Sequence, residues 1–193
     1  YGGVLCTGYF CLNITHEELG INDYSIFLFG SVDSVEEYNS YHKGLDESDY
    51  MIFLCYNVVD DTFSPEGTCV CSFTTLVSPE EFERIDETEY VKVKTKIGLK
   101  MLNTLKAKTG IDIQPYIEEV EIATPWTFNR YLNTPKGCVY GHECRDWDNV
   151  VARTLNIESD YSIPGLYPIG ADTIKGDGYS SAYIAGKEIA SFA

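Results

Sequence analysis

The sequence predicts an α+β fold, a mostly antiparallel sheet with flanking helices, followed by a C-terminal strand, loop and helix. Three observations predict it. The first 76 residues run strand after strand with turn chemistry between. From Ser78 the apolar period changes from two residues to three or four. Beyond Gly165 a short apolar run, a glycine loop and a helix of small residues stand in immediate succession.

The expected strands are Leu5 to Ile14, Tyr24 to Phe29, Met51 to Tyr56 and Cys69 to Leu76, with Asn-Asp, Gly and Ser-Pro-Glu-Gly turns between them. The run Asp60 to Gly67 joins the last two, with Pro65 suited to the second position of a turn and Gly67 to its end. Ser78-Pro-Glu-Glu81 carries the signature of a helix start, with proline at the first helical position and acids in the first turn. A short helix follows. Tyr90, Val93, Ile97, Met101 and Leu105 then recur at helical spacing, and Gly110 stands where a helix would stop, so this is the longest helix. Ile117 to Ile122 alternates Glu119 and Glu121 against Val120 and Ile122, a strand exposed on one face. Trp126 to Leu132 suits a short helix, which Pro135 and Gly137 break. The acid-rich stretch from Glu143 to Asp160 has no period. A short strand over Gly165–Gly170, a loop over Ala171–Gly178 and a helix over Tyr179–Ser191 complete the chain.

Composition removes several function classes. At 193 residues and 44% hydrophobic the chain can bury a core. No stretch approaches the roughly 20 apolar residues of a membrane span, and no basic segment leading into an apolar one opens the sequence. A soluble protein is expected. The opening Tyr1-Gly-Gly, running at once into strand-like sequence, reads as a cut from something longer. A net charge of −16 repels a polyanion, so nucleic acid is not an expected partner. One basic stripe exists, Lys92, Lys94, Lys96, Lys100, Lys106 and Lys108, and it falls on the solvated face of the long helix. Seven cysteines, an odd number without a C-x-x-C pair, mostly occupy apolar strand-like runs. They are read as small core residues in a reducing cytoplasm rather than as a disulfide scaffold. Cys69 and Cys71 share a strand face, but a metal would need further ligands from only His16, His42 and His142, so no metal site is assigned.

The informative segment is Leu166 to Ala190. Gly176-x-Gly178-x-x-Ser181 superficially matches a dinucleotide fingerprint, yet that needs an acid about 20 positions on, where the chain has already ended. A glycine loop opening a helix still presents unpaired N–H groups and the positive end of the helix dipole to whatever lies above them. Ala182, Ala185, Gly186, Ile189 and Ala190 form a small-residue face that lets this helix lie close to a sheet or a planar ligand. An ordinary tight strand-to-helix unit would look the same.

Leu166-Tyr-Pro-Ile-Gly170, the glycine loop, Gly178-Tyr-Ser-x-Ala182 and the late Gly186 resemble the C-terminal flavin-contacting motif of the phytoene desaturase, carotenoid isomerase and retinol saturase group of FAD-dependent oxidoreductases. Ala123-Thr-Pro-Trp-Thr-Phe-Asn-Arg-Tyr131 is similar to that group's Thr-Pro-x-Thr-Phe-x-Arg-Tyr box, Gly137-Cys-Val-Tyr-Gly141 to its Gly-x-x-Tyr-Gly, and Ser64-Pro-Glu-Gly67 to its Ala-Pro-Glu-Gly turn. Their order and rough spacing agree along nearly the whole chain. Two departures stand out. The group's Arg-Pro stretch is absent between Gly141 and Leu166, where only Arg145 and Arg153 occur, and no Gly-x-Gly-x-x-Gly βαβ unit is present.

The resemblance implies that residues 1–135 are a substrate-domain portion and 136–193 the C-terminal return to an FAD-binding domain whose N-terminal Rossmann half is absent. It implies FAD as cofactor. Gly170 and Asp172 would lie along the ribityl and phosphate region and Gly178, Tyr179 and Ser180 near the ring, with Ala171 and Gly176 as further cofactor-binding candidates. The activity implied is hydride transfer between flavin and a long apolar unsaturated substrate, by desaturation, saturation or isomerisation. Trp126, Phe128 and Tyr140 are the substrate-side candidates, although core packing is the better reading of any one of them. No Ser/His/Asp or Cys/His set stands out, so no catalytic residue is assigned. The implied partners are the missing half and an apolar small molecule, with peripheral membrane contact left open. Two other readings compete: a flavin amine oxidase-like fragment, and an acidic non-catalytic binding domain in which the glycine loop is only structural.

Overall fold

A computed structural model describes residues 3–44, 46–139, 163, 165–167, 169 and 178–191. Its strands are β1 (Val4–Leu12), β2 (Ser25–Leu28), β3 (Met51–Cys55), β4 (Cys69–Val77) and β5 (Ile117–Ala123), in one sheet of order β2-β3-β4-β1-β5. Every pairing is antiparallel, and β1 lies at the centre of a long ladder, Val4 opposite Val77 through Leu12 opposite Cys69. The alternation in the sequence becomes alternation of burial: Cys6, Phe10, Leu12, Met51, Phe53, Cys55, Cys71 and Phe73 are all buried. Phe73 meets Phe10 edge-on at 5.2 Å and Phe53 at 5.0 Å, and these rings fill the middle of the core face.

The helices are α1 (Ser34–Lys43), α2 (Pro79–Glu83), α3 (Tyr90–Thr109), α4 (Pro125–Leu132) and α5 (Tyr179–Ala190). Buried Ile97, Met101 and Leu105 of α3 pack on the sheet. Two glycines allow the approach: a Cβ at Gly8 would lie 2.9 Å from Met101 Sδ, and one at Gly98 would lie 3.4 Å from Ile122 Cδ1. Gly110 ends α3 in the left-handed conformation at φ 81°, as its position after the last periodic residue predicted.

Four local features differ from the sequence expectation. Strand β5 is not exposed on one face only, because Val120 is 43% exposed alongside Glu119 and Glu121. Helix α1 was not foreseen: it buries no residue, so it has no apolar stripe to read, and it is held by Asp33, whose carboxylate accepts from the N–H groups of Val35 and Glu36. The turn before β4 is shifted by one: Thr68 N–H donates to the carbonyl of Pro65, so Pro65 opens the turn and Gly67, at φ 81°, occupies its third position. Of the short strand expected over Gly165–Gly170, Gly165, Leu166, Tyr167 and Ile169 are described and none is in a strand.

The chain divides into two compact units, Val4–Gly137 and a second made of Tyr1–Gly3 with Cys138–Ala193. The basic stripe of α3 is largely spent on ion pairs, Lys92 with Glu89, Lys94 with Glu121, Lys96 with Asp46, Lys106 with Asp112 and Lys108 with Asp49. Among the described residues no helix is long and apolar enough to cross a membrane.

Candidate functional site

Helix α5 begins at Gly178, which has φ 100° and ψ 160° and offers no side-chain cap. The first helical bond runs from Ala182 N–H to the Gly178 carbonyl at 3.0 Å, so the amide groups of the turn before it point away from the helix. A Cβ at Gly178 would meet nothing within 4 Å, and it is the positive φ that selects glycine there. Tyr179 and Ser180 are exposed beside it. Of the small-residue face, Ala185 is buried, Ala182, Gly186 and Ile189 are half-buried and Ala190 is exposed, as are Tyr183, Lys187 and Glu188. Gly170, Ala171, Asp172, Gly176 and Tyr140 lie outside the described residues.

The Thr-Pro-x-Thr stretch is a helix start in physical terms. Thr124 is the N-cap of α4, Pro125 its first residue, and Thr124 and Thr127 form a reciprocal capping box in which Thr124 N–H donates to Thr127 Oγ1 at 3.1 Å. Thr124 is fully buried, and its hydroxyl pairs with the Tyr90 hydroxyl at 2.7 Å. Tyr90 in turn stacks on Trp126 with ring centroids 4.8 Å apart, so one face of the Trp126 ring is taken up by protein. Phe128 sits half-buried on the same helix. A Cβ at Gly137 would fall 2.0 Å from the Pro125 carbonyl oxygen, which brings the glycine of one motif against the proline of another.

A second constellation was not legible in the motifs. The register places Cys55 directly opposite Cys71, Cys69 stands two residues before it on the same face, and all three are fully buried. Their sulfur atoms lie within 4.8 Å of one another. Hydrogen bonds, first from Cys69 and then from Cys71, hold the Cys55 thiol well below its ordinary value, and the two donors are pushed up in return. By contrast burial, with Glu81 second, pushes up the isolated Cys6 thiol. The signal that finds Cys55 is the antiparallel register: residues summing to 126 face each other across the β3–β4 connection, Phe53 with Phe73 and Cys55 with Cys71.

No family model matches the chain. It is 31% identical to all-trans-retinol 13,14-reductase of Danio rerio over 174 residues, 83% of this chain and 29% of that protein. It is 27% identical to the chloroplastic prolycopene isomerase of Arabidopsis thaliana over 146 residues, 75% of this chain and 24% of that protein. A phytoene desaturase of Neurospora crassa is 29% identical over 92 residues, 48% of this chain and 15% of that protein. The chain belongs to the phytoene desaturase, carotenoid isomerase and retinol saturase group of oxidoreductases. It spans about a quarter of the length of the prolycopene isomerase and retinol reductase it matches. The Thr124-Pro125 stretch is the capped start of α4, and Gly178 is the start of α5.

Proposed function

We propose that this chain is the C-terminal part of an FAD-dependent oxidoreductase that transfers hydride between flavin and a long, apolar, unsaturated substrate. The observation that carries the proposal is the start of α5, an exposed turn opened by an uncapped glycine at φ 100°, in a chain related to a retinol reductase and a phytoene desaturase. A glycine with open space around it admits close approach of a planar ring, and the first-turn amides favour an electron-rich edge, so the residues present fit a flavin. Gly178, Tyr179 and Ser180 would meet the ring, with Gly170, Ala171, Asp172 and Gly176 along the remainder. Bound flavin supplies a two-electron acceptor or donor. The chain's own contribution is preorganised positive potential where reduction adds charge, which requires no proton-relay pair.

On this proposal the pyrophosphate is held by a Rossmann half outside this chain. On this reading residues 1–135 are substrate-domain and 136–193 return to the FAD domain, and the division into compact units after Gly137 is consistent with that boundary. Trp126, Phe128 and Tyr140 stand on the substrate side. Among the described residues Cys6, Cys11, Cys55, Cys69 and Cys71 form no disulfide, which accords with a reducing compartment, the cytoplasm, and the isolated chain is expected to be inactive.

The test begins with the coding sequence upstream of Tyr1, which should specify a strand, Gly-x-Gly-x-x-Gly and a helix. The protein it completes, given FAD and a panel of polyenes including retinoid and carotenoid substrates, should change the conjugation length or geometry of at least one, read as a shift in the polyene's visible absorption. Turnover of amines with no change in any polyene would overturn the substrate class.

A further inference from the structure

We propose that Cys55, Cys69 and Cys71 form a buried binding site for a thiophilic d10 cation, zinc in a reducing cell, with His16 completing a four-ligand shell. This proposal does not depend on the flavin proposal. It lies at one end of the core face, past the Phe10, Phe53 and Phe73 rings, where β3 finishes and β4 begins. Cys55 N–H donates to the carbonyl of Tyr24, just before β2, so Cys55 and Cys71 face each other as a pair that exchanges no backbone bonds, the closer of the two antiparallel arrangements.

The spacing suits a metal. A tetrahedral zinc with bonds of about 2.3 Å sets its sulfurs about 3.8 Å apart, and the three sulfurs already lie within 4.8 Å of one another. Small rotamer shifts therefore close the shell. The backbone beneath is fixed independently: buried Asn57 accepts from Val70 N–H at 2.9 Å and donates to Ser64 Oγ at 2.9 Å, which pins the β3–β4 connection on either side of the thiols. Three sulfurs converging at one point is also more than packing requires, because the neighbouring core positions are filled by Leu12, Ile21 and phenylalanines.

His16 follows β1 by four residues, and Leu12 at the end of β1 is the register partner of Cys69. The His16 side chain is only 14% exposed, and its ring must move toward the sulfurs to join them as a ligand. Its Nδ1 lies 2.9 Å from the Ile21 carbonyl. Donation from Nδ1 leaves the Nε2 lone pair as the ligating atom, the orientation that a backbone acceptor imposes on metal-binding histidines. Nε2 now lies 3.3 Å from the Glu17 carboxylate, which is 65% exposed and free to swing into solvent. Each thiol gives up its proton on binding, and three thiolates with a neutral imidazole leave a net charge of −1 around a divalent ion. The filled site would staple the ends of β3 and β4 to the β1–β2 loop.

The chain, prepared under reducing conditions, is titrated with zinc and followed by native mass spectrometry, and in parallel with cobalt(II), whose thiolate charge-transfer absorption reports sulfur ligation. One metal per chain is expected, with a charge-transfer band complete at one equivalent and a melting temperature raised by about 5 °C or more over the chelated protein. Cys55→Ser and Cys71→Ser should each abolish the band, Cys11→Ser on the opposite face of β1 should leave it, and His16→Gln should weaken binding about tenfold or more. If the serine variants do not fold, the wild-type titration decides. No band and no retained zinc in the wild-type chain would overturn the proposal. So would a band that survives Cys55→Ser and Cys71→Ser, or a reduced-buffer preparation lighter by two hydrogens with Cys55 bonded to Cys71.

Discussion

Gly137 has no room for a methyl group. Its φ is 75°, and a Cβ would sit 2.0 Å from the Pro125 carbonyl oxygen, a backbone atom that cannot step aside without moving the start of α4. Gly8 is crowded too, but by movable groups, Phe10 Cε2 at 2.8 Å, Met101 Sδ at 2.9 Å and Ile122 Cδ1 at 3.0 Å. Gly110 has a positive φ and open space. These differences rank three alanine substitutions. Gly110→Ala should cost about 1 kcal/mol for the left-handed backbone, Gly8→Ala about 1–3 kcal/mol for overpacking, and Gly137→Ala more than either because both penalties apply. Equilibrium urea unfolding of the three variants checks the order, and a Gly137→Ala chain as stable as Gly110→Ala would contradict it. The sequence marks Gly110 as a helix stop because that signal is local. It marks Gly137 only as a letter in a motif, since its reason lies in a contact with a residue twelve positions earlier.

At the scale of elements, legibility follows burial. Strands β1, β3 and β4 and helix α3 were readable because each lays one face on the core and so prints a period of two or of three to four into the sequence. Helix α1 buries nothing, and its Val35 and Tyr38 are exposed, so only the Asp33 cap and the acids of its first turn announce it. Helix α4 is short and its start is chemical rather than periodic, resting on Thr124, Pro125 and Thr127. Thr124→Ala should therefore destabilise the chain by about 1–2 kcal/mol through the lost cap, and somewhat beyond that because the Tyr90 hydroxyl loses its 2.7 Å partner. Thr124→Ser, which keeps the hydroxyl, should recover most of the loss in the same unfolding assay. Equal losses in the two variants would mean that packing of the Thr124 methyl, and not capping, sets the stability of this corner. The thiol cluster belongs to this scale as well: Cys69 and Cys71 were seen to share a face, but Cys55 joins them only through the β3–β4 register, which no local pattern displays.

For the whole molecule, the segment proposed to face flavin was legible as a resemblance before any geometry, because its closely spaced glycines stand out in an otherwise ordinary composition. Its geometry is legible only in part, at Gly178 and the first turn of α5. A site shared between two halves of a domain is not specified by either half alone, and this chain spans about a quarter of the retinol reductase and prolycopene isomerase lengths it matches. The acidic surface points the same way, because the lysines of α3 are mostly paired with Glu89, Glu121, Asp46, Asp112 and Asp49 rather than offered to a phosphate. Flavin stoichiometry is the most direct measurement of this account. The protein completed by its upstream coding sequence should purify yellow with one FAD per chain, Gly178→Val should lower its FAD affinity about tenfold or more in a protein that still folds, at a modest cost in apo-state melting temperature from the positive φ, and the 193-residue chain alone should be colourless. A completed protein that binds no flavin, or an isolated chain that holds it stoichiometrically, would contradict the account.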